Sequence, residues 1–362
     1  MTSERILIVK PSAMGDVIHT LPLLTRLRQG YPEAYIAWVV NRSCAGVVED
    51  HPHLDEVVVF ERQDWSSAAD LAGMLSASRG LLELVRRLRQ RHFDLALDLQ
   101  GLFRSGLLTL LSGAPKRVGF SGAREFAGLA YTQSVRVPTA DMHAVDRYLL
   151  FAEALGLRGE GEVTFVLPTS EADETWAEGL ASRLTTGSKP LVLVNPTARW
   201  ASKCWPATHY AELADRLVRE YGAAVVFTGT AGDRLLVDRV RKMTAEQSTD
   251  LCGKTTVKQL IALMRRADLA VCNDSGPMHL AAALKTPVLA FYGPTSPVRT
   301  GPYGDATRCV VLRKDVPCGP CYRRECQRLL CLEAITADEA FEAAVNLLEL
   351  NQGTGRESRA ST

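Results

Sequence analysis

Short apolar runs recur along this chain, with amphipathic stretches between them. "ILIV" (6–9), "IAWVV" (36–40), "EVVVF" (56–60) and "LALDL" (95–99) are continuous rather than alternating. Parallel strands covered on both faces have that pattern. The first half predicts strands at 5–10, 35–40, 56–60, 94–99 and 116–120, with helices at 15–29, 43–49, 80–91, 103–112 and 143–156. A Gly-rich stretch, "GLRGEGE" at 156–162, interrupts the pattern, which then restarts. The second half predicts strands at 190–195, 223–228, 268–273 and 287–291, and helices at 171–185, 207–221, 232–243, 256–266, 277–285 and 336–350. The expected class is α/β: two doubly wound parallel-sheet domains, 1–162 and 163–350, and a disordered tail, 351–362. A length of 362 residues agrees with two domains, at roughly 100–200 residues each.

Composition adds exclusions. The net charge of +1 gives no global field for nucleic acid. The window from Arg79 to Arg124 is locally basic, with nine Lys or Arg against Glu83, Asp94 and Asp98. Two readings stand there, a solvated helix face or a groove for an anionic substrate. "MTSERILIV" enters a strand almost at once, so no signal peptide is expected. No apolar run reaches the roughly 18 residues of a spanning helix. Dispersed cysteines in apolar surroundings suggest a reduced, cytoplasmic chain. Gly-x-Gly-x-x-Gly is absent after the first strand, and there is no complete P-loop, His-Glu-x-x-His or Gly-x-Ser-x-Gly. Redox dinucleotide enzymes, P-loop NTPases, zincins and α/β-hydrolases are therefore disfavoured.

The chemistry-bearing residues fall where strands end. "NDSGPMHL" places Asp274, Ser275, Gly276 and His279 between a strand and a helix. Ser275 suits an N-cap and Pro277 the first turn, and free N–H groups there form an anion site. "NPTARWASKCWP" offers Thr197, Arg199 and Lys203 as diphosphate donors. Asp233 in "FTGTAGDR" is a candidate for ribose hydroxyls. After the first strand, "KPSAMGD" places Ser12, Gly15 and Asp16 on a turn without the glycines and lysine of a phosphate loop. With the phosphates bound in the second domain, Asp16 suits a general base for an acceptor hydroxyl. The competing role is a helix-dipole partner, which would hold its pKa low.

At these residues the chain resembles the ADP-heptose:lipopolysaccharide heptosyltransferases, glycosyltransferase family 9. "KPSAMGDVIHTLPLL", "DLQGLFRSGLL", "GAREFAGLAY", "HAVDRYL", "NPTARWASKCWP" and "NDSGPMHLAAALKTPVLAFYGPTSP" match in order and spacing. The first is similar to the heptosyltransferase I version. The resemblance implies a GT-B fold, two Rossmann-like domains facing across a cleft, with the last helix crossing back to the first domain. It implies an inverting transfer of heptose from ADP-heptose to the Kdo/heptose inner core of lipopolysaccharide, with no cofactor and no divalent metal required. Asp16 would be the base, and Thr197, Arg199, Lys203, Asp233, Asp274, Ser275, Gly276 and His279 the donor site. Arg104 and Arg124, with Ser12 and Gly15, would meet the acceptor. That acceptor is lipid-anchored, so peripheral contact with the anionic cytoplasmic face of the inner membrane is expected.

The chain departs from the pattern in three places. "TARWASKCW" is one residue longer between Arg199 and Lys203 than the heptosyltransferase I version. Ala198 stands where a hydroxyl residue is common. Cys318, Cys321, Cys326 and Cys331 resemble a segment more frequent on the heptosyltransferase II side. Four thiolates could hold a structural zinc, but the spacing is not a standard one, and reduced thiols are the plainer reading. A glycosyltransferase of the same family using another nucleotide sugar or acceptor, a nucleotide-sugar epimerase and a non-catalytic nucleotide-sugar sensor stay open as alternatives.

Overall fold

The computed structural model describes residues 5–60, 71–157, 161–186 and 189–358. The chain divides into two compact units, Met1–Pro168 and Thr169–Thr362. The division lies six residues beyond the expected boundary; part of the Gly-rich stretch falls outside the described residues.

The first unit is a parallel sheet of six strands: β1 (Arg5–Val9), β2 (Tyr35–Asn41), β3 (Glu56–Phe60), β4 (Leu95–Asp98), β5 (Lys116–Phe120) and β6 (Gln133–Val135). Their order across the sheet is β3-β2-β1-β4-β5-β6. Helices Met14–Gly30, Leu71–Gln90, Phe103–Leu111 and Ala144–Ala154 connect and cover them. The apolar runs explain the sheet: Ile6, Leu7, Ile8 and Val9 are all fully buried, so β1 has no solvated face. Leu7, Val9, Ala37, Val39 and Ala96 form one core layer with Leu84, Leu88 and Leu108 from the covering helices.

The second unit repeats the plan with β7 (Leu191–Asn195), β8 (Ala224–Phe227), β9 (Thr249–Asp250), β10 (Leu269–Asn273), β11 (Val288–Tyr292) and β12 (Cys309–Arg313), ordered β12-β11-β10-β7-β8-β9. Its helices include Glu171–Leu184, Ala207–Arg219, Arg234–Arg241, Val257–Arg266, Gly276–Ala283 and Ala337–Ser358. Local chemistry starts them where expected: Thr256 Oγ1 accepts the Gln259 N–H at 3.1 Å, and Gln259 returns a bond to the Thr256 N–H at 3.0 Å.

Renumbered within each unit, both sheets have the strand order 3-2-1-4-5-6. The order reverses between β1 and β4, and again between β7 and β10. Ligands of doubly wound sheets bind beyond the carboxyl ends of the strands at that reversal.

Three strands were not foreseen: β6, β9 and β12. All lie at or next to open sheet edges, are short or half-buried, and lack a buried apolar run. The final helix extends to Ser358, so the tail expected to be disordered from 351 is helical over most of its length. The same helix was expected to return to the first domain. Its Ala340, Ala344, Leu347 and Leu348 belong to the second unit's core, beside Leu213 and Leu217.

Candidate active site

In the first unit, β1 runs into Lys10 and a three-residue turn, then into helix Met14–Gly30. Ala13 holds the N-cap position and has no side-chain acceptor for the helix's free N–H groups. Asp16, at the third helical position, reaches back instead: its Oδ2 accepts the Ala13 N–H at 3.2 Å. The Tyr148 hydroxyl donates to Oδ1 at 3.3 Å, and Lys10 Nζ lies 3.8 Å from Oδ2. The Asp16 side chain remains 40% exposed, so it can still meet a substrate. Burial alone would raise its pKa. The Lys10 ammonium, then His19, the Ala13 N–H and the Tyr148 hydroxyl outweigh that and hold it below the ordinary 3.8.

Lys10 is buried between two carboxylates. Its Nζ donates to the Leu99 carbonyl at 3.2 Å and sits 5.1 Å from the centre of the Tyr148 ring. Burial lowers its pKa more than Asp16 and Asp98 raise it. Asp98, paired with Val9 across β4 and β1, is fully buried. Its carboxylate accepts four hydrogen bonds: Gln100 N–H at 2.9 Å, Gly101 N–H at 3.0 Å, Ser105 Oγ at 2.9 Å and Tyr131 hydroxyl at 2.8 Å. Burial still keeps its pKa raised. Asp98 thus fixes the turn into helix Phe103–Leu111. Gly101 takes a left-handed φ of 68°, and its carbonyl accepts the Arg124 N–H at 2.9 Å. That bond brings the two expected acceptor residues, Arg104 and Arg124, to the same strand-end edge, both exposed. Ser12 is half-buried in the β1 turn and Gly15 buried at the second helical position.

In the second unit the carboxyl ends of β7 and β10 meet the same requirement. Asp274 is buried, and its Oδ2 receives Lys203 Nζ at 2.6 Å and the Thr295 hydroxyl at 2.6 Å. His279 Nε2 lies 4.0 Å from Oδ1. Lys203 and Asp274 were read as separate donor ligands. The structure pairs them, and Lys203 also lies 4.6 Å from the centre of the Trp200 ring. Ser275 occupies the N-cap position of helix Gly276–Ala283 but makes no side-chain cap bond. Its buried Oγ has no hydrogen-bond partner among the described residues. That leaves a hydroxyl beside the free N–H groups that open the helix.

Other donor candidates do local work. Thr197 Oγ1 donates to Asn195 Oδ1 at 3.0 Å, and Asn195 Nδ2 donates to the Thr228 carbonyl at 3.2 Å, so Thr197 orders the loop after β7. Asp233 Oδ2 accepts from the Thr230 N–H at 2.8 Å and hydroxyl at 2.6 Å, closing a turn after β8. Arg199 is exposed and, among the described residues, forms no ion pair.

The cysteine-rich segment acts on this site from outside. Ser202 donates through N–H to the Arg324 carbonyl at 3.3 Å and through Oγ to the Arg323 carbonyl at 2.6 Å. Tyr322 N–H donates to the Pro294 carbonyl at 2.9 Å. The segment therefore braces both loops that present Lys203 and Thr295 to Asp274. Its four thiols are free, and burial followed by the other three cysteines pushes the Cys331 thiol up. Among the described residues, Cys318, Cys321, Cys326 and Cys331 included, no group of three or more His, Cys, Asp or Glu is arranged to hold a metal ion. No described helix is long and apolar enough to cross a membrane.

Sequence reading missed Tyr148, Lys10, Asp98 and Thr295 as site residues. "HAVDRYL" and "DLQG" were visible as motifs, but their partners lie far along the chain.

The chain can now be set beside known proteins. The profile of glycosyltransferase family 9 (heptosyltransferase) matches residues 81–331. Lipopolysaccharide heptosyltransferase 1 of Pseudomonas aeruginosa is 31% identical over 326 residues, covering 89% of this chain and 87% of that protein. Among solved structures, a glycosyl transferase of family 9 from Veillonella parvula superposes with a TM-score of 0.80 at 27% identity, covering 96% of this chain and 99% of the other. The ADP-heptose lipopolysaccharide heptosyltransferase II of Escherichia coli does so with a TM-score of 0.76 at 27% identity, covering 96% and 99%. With more than half the chain matched, and with these folds alike over nearly their whole length, the chain is a glycosyltransferase belonging to family 9, the heptosyltransferases.

Proposed function

We propose that this chain moves heptose from ADP-heptose to the Kdo/heptose inner core of lipopolysaccharide, with inversion at the anomeric carbon. The observation that carries the reading is Asp16: a half-exposed, ionised carboxylate at the switch edge of the first sheet, held by Lys10, Tyr148 and the Ala13 N–H. The names of the relatives supply the donor and the acceptor class.

The step is a single displacement. The acceptor hydroxyl oxygen bonds to the anomeric carbon as the bond from that carbon to the diphosphate oxygen breaks, and ADP leaves. Asp16 takes the hydroxyl proton. A carboxylate with a low pKa is a weak base toward a free hydroxyl, but the hydroxyl becomes strongly acidic once its oxygen is bonding to carbon, so a late proton transfer suits it. In the second unit, Lys203, the Ser275 hydroxyl and the Gly276 N–H hold the developing diphosphate charge. Asp274, Thr295 and the braced loops keep the Lys203 ammonium in place, and Arg199 adds a mobile cation from the same loop. Those charges serve the role a divalent metal has elsewhere, so transfer is expected without one. Arg104 and Arg124 receive the acceptor's negative groups, with Ser12 and Gly15 at the β1 turn. Asp233 keeps its turn role, with ribose contact secondary. The enzyme works in the cytoplasm, against the inner face of the inner membrane.

The test is direct. The purified chain is incubated with ADP-heptose and Kdo-containing lipid A acceptors in EDTA, and ADP release and product mass are followed. ADP release with one heptose added is expected. A nucleotide-sugar product with no acceptor adduct would assign an epimerase, and saturable binding without turnover a sensor.

A further inference from the structure

Helix Phe103–Leu111 has its polarity inverted. Its buried side carries Ser105, Gly106, Leu108 and Thr109. The hydroxyls there are satisfied internally: Ser105 Oγ donates to Asp98 Oδ2 at 2.9 Å, and Thr109 Oγ1 to the Ser105 carbonyl at 2.8 Å. Its outer side carries Phe103, Leu107 and Leu110, spaced i, i+4 and i+7. Phe103 is 53% exposed and Leu110 45%. The turn Phe126–Ala130 does the same. Ala127 and Ala130 are buried, whereas Phe126 is 83% exposed and Leu129 85%. Scattered apolar residues on a surface need no account, but a cluster of large ones over buried small and polar ones does.

The two segments form one surface. Gly106 lies so close to the turn that a Cβ there would sit 2.9 Å from the Ala127 Cα. Phe103 N–H donates to Glu125 Oε2 at 3.2 Å. Glu125 and Phe126 both have left-handed backbones, φ 54° and 61°, which bulky L residues rarely adopt. Basic side chains predominate on the two segments and at the helix end. Arg104 and Arg124 are exposed within the cluster, and Arg89 Nε donates to the Leu111 carbonyl at the far end of the helix. Glu125 is the one acidic residue of the two segments, and its carboxylate is engaged by the Phe103 N–H.

We propose that this face docks on an anionic phospholipid bilayer, with Phe126, Leu129, Phe103 and Leu110 entering the interface, Arg89 at headgroup level, and Arg104 and Arg124 left beside it for the negative groups of the membrane-borne acceptor. The proposal rests on the reading above, in which the acceptor is lipid-anchored, and it names the surface that meets the lipid. Apolar insertion and basic attraction are each weak alone and act together at a charged bilayer.

The experiment uses the full chain and the double variant Phe126→Ser, Leu129→Ser. Flotation is measured with vesicles of phosphatidylglycerol and phosphatidylethanolamine, and with phosphatidylcholine alone. The wild type is expected to float with the anionic vesicles at low salt, less with phosphatidylcholine, and less at high salt. The double variant should partition about tenfold less or weaker still, with an unchanged melting temperature and an unchanged transfer rate to a deacylated, water-soluble acceptor. Vesicle binding by a chain that transfers no heptose would sink the proposed function while supporting this face. Equal flotation of the two proteins, or no flotation of the wild type, overturns the proposal. So does loss of transfer to the soluble acceptor in the double variant, which would place the face within the acceptor site. A wild-type dimer that the double variant converts to a monomer would also overturn it, assigning the face to a second copy of the chain.

Discussion

Asp16→Asn separates base from scaffold. The amide keeps the shape, but its single oxygen can accept from only one of two donors that now use different oxygens, the Ala13 N–H at 3.2 Å and the Tyr148 hydroxyl at 3.3 Å. It loses the negative charge facing Lys10 at 3.8 Å. With the side chain 40% exposed, solvent screens that pair, and its loss costs about 0.2–1 kcal/mol. Losing a first-turn carboxylate at a helix N-terminus costs about 0.3–1 kcal/mol more. With about 0.5–1.5 kcal/mol more for the hydrogen bond the amide cannot accept, a stability loss of roughly 1–3.5 kcal/mol leaves a protein of ordinary stability, about 5–15 kcal/mol, folded at 25 °C. The kinetic loss is larger: removing a general base lowers kcat by about 10²–10⁴-fold, a barrier increase of roughly 3–5 kcal/mol. The donor KM should hardly move, because Asp16 lies outside the second unit, where the nucleotide is proposed to bind. The pH dependence follows from the sign of the shift. The Asp16 pKa is lowered below 3.8, so its charge is present at ordinary pH and is lost only as the pH falls through the lowered value. The kcat/KM profile should therefore show no acid limb from Asp16 between about pH 5 and 7. Steady-state ADP release across pH, beside a melting curve, measures all of this. A kcat for Asp16→Asn within threefold of wild type, or a near-neutral acid limb that vanishes in the variant, would refute the assignment.

Three further outcomes are expected. Asp274→Asn leaves the Lys203 ammonium without the carboxylate 2.6 Å away; about 2–4 kcal/mol should be lost, a melting shift of roughly 5–10 °C, partly restored by adding Lys203→Met, and strictly additive effects would mean the pair is not coupled. Ser275→Ala removes a hydroxyl with no hydrogen-bond partner among the described residues, so calorimetry should find ADP bound about 3–10-fold more weakly while the melting temperature stays put; an unchanged affinity places the anion elsewhere. Gly293→Ala sets a Cβ 2.8 Å from Leu332 Cγ and 3.0 Å from Cys331 Sγ, costing about 1–3 kcal/mol and raising the donor KM through the Thr295 loop; an unmoved KM would disconnect the cysteine-rich segment from the site.

How much of this was legible depends on distance along the chain. The central strands could be read because burial on both faces leaves no polar position in them: β1, β7 and β10 are apolar at nearly every residue and almost wholly buried. The strands β6, β9 and β12 could not. Gln133, Thr249 and Asp250 are polar, so neither period nor run length marks β6 and β9; β12 does carry a four-residue apolar run, Cys309–Leu312, but is half-buried throughout and leads into the Pro- and Cys-rich segment. The strand-end turns were legible because a strand, a small-residue turn and a helix start are neighbours in sequence. What the turns hold was only half legible. Lys203 and Asp274 lie 71 residues apart and were both assigned to the ligand, because each residue type suits a nucleotide site; only the fold places them in contact, where they satisfy each other. Tyr148 reaches Asp16 across 132 residues, and Trp205 N–H finds Asn273 Oδ1 across 68. The same limit hid the inverted helix. In sequence, "FRSGLLTLL" reads as an ordinary apolar helix, and nothing tells which side faces the sheet. That became decidable only once Asp98, fixed by its register beside Val9, was seen to draw Ser105 inward and so turn Phe103 and Leu110 toward solvent. A buried carboxylate in β4 thereby decides which residues of the next helix face outward.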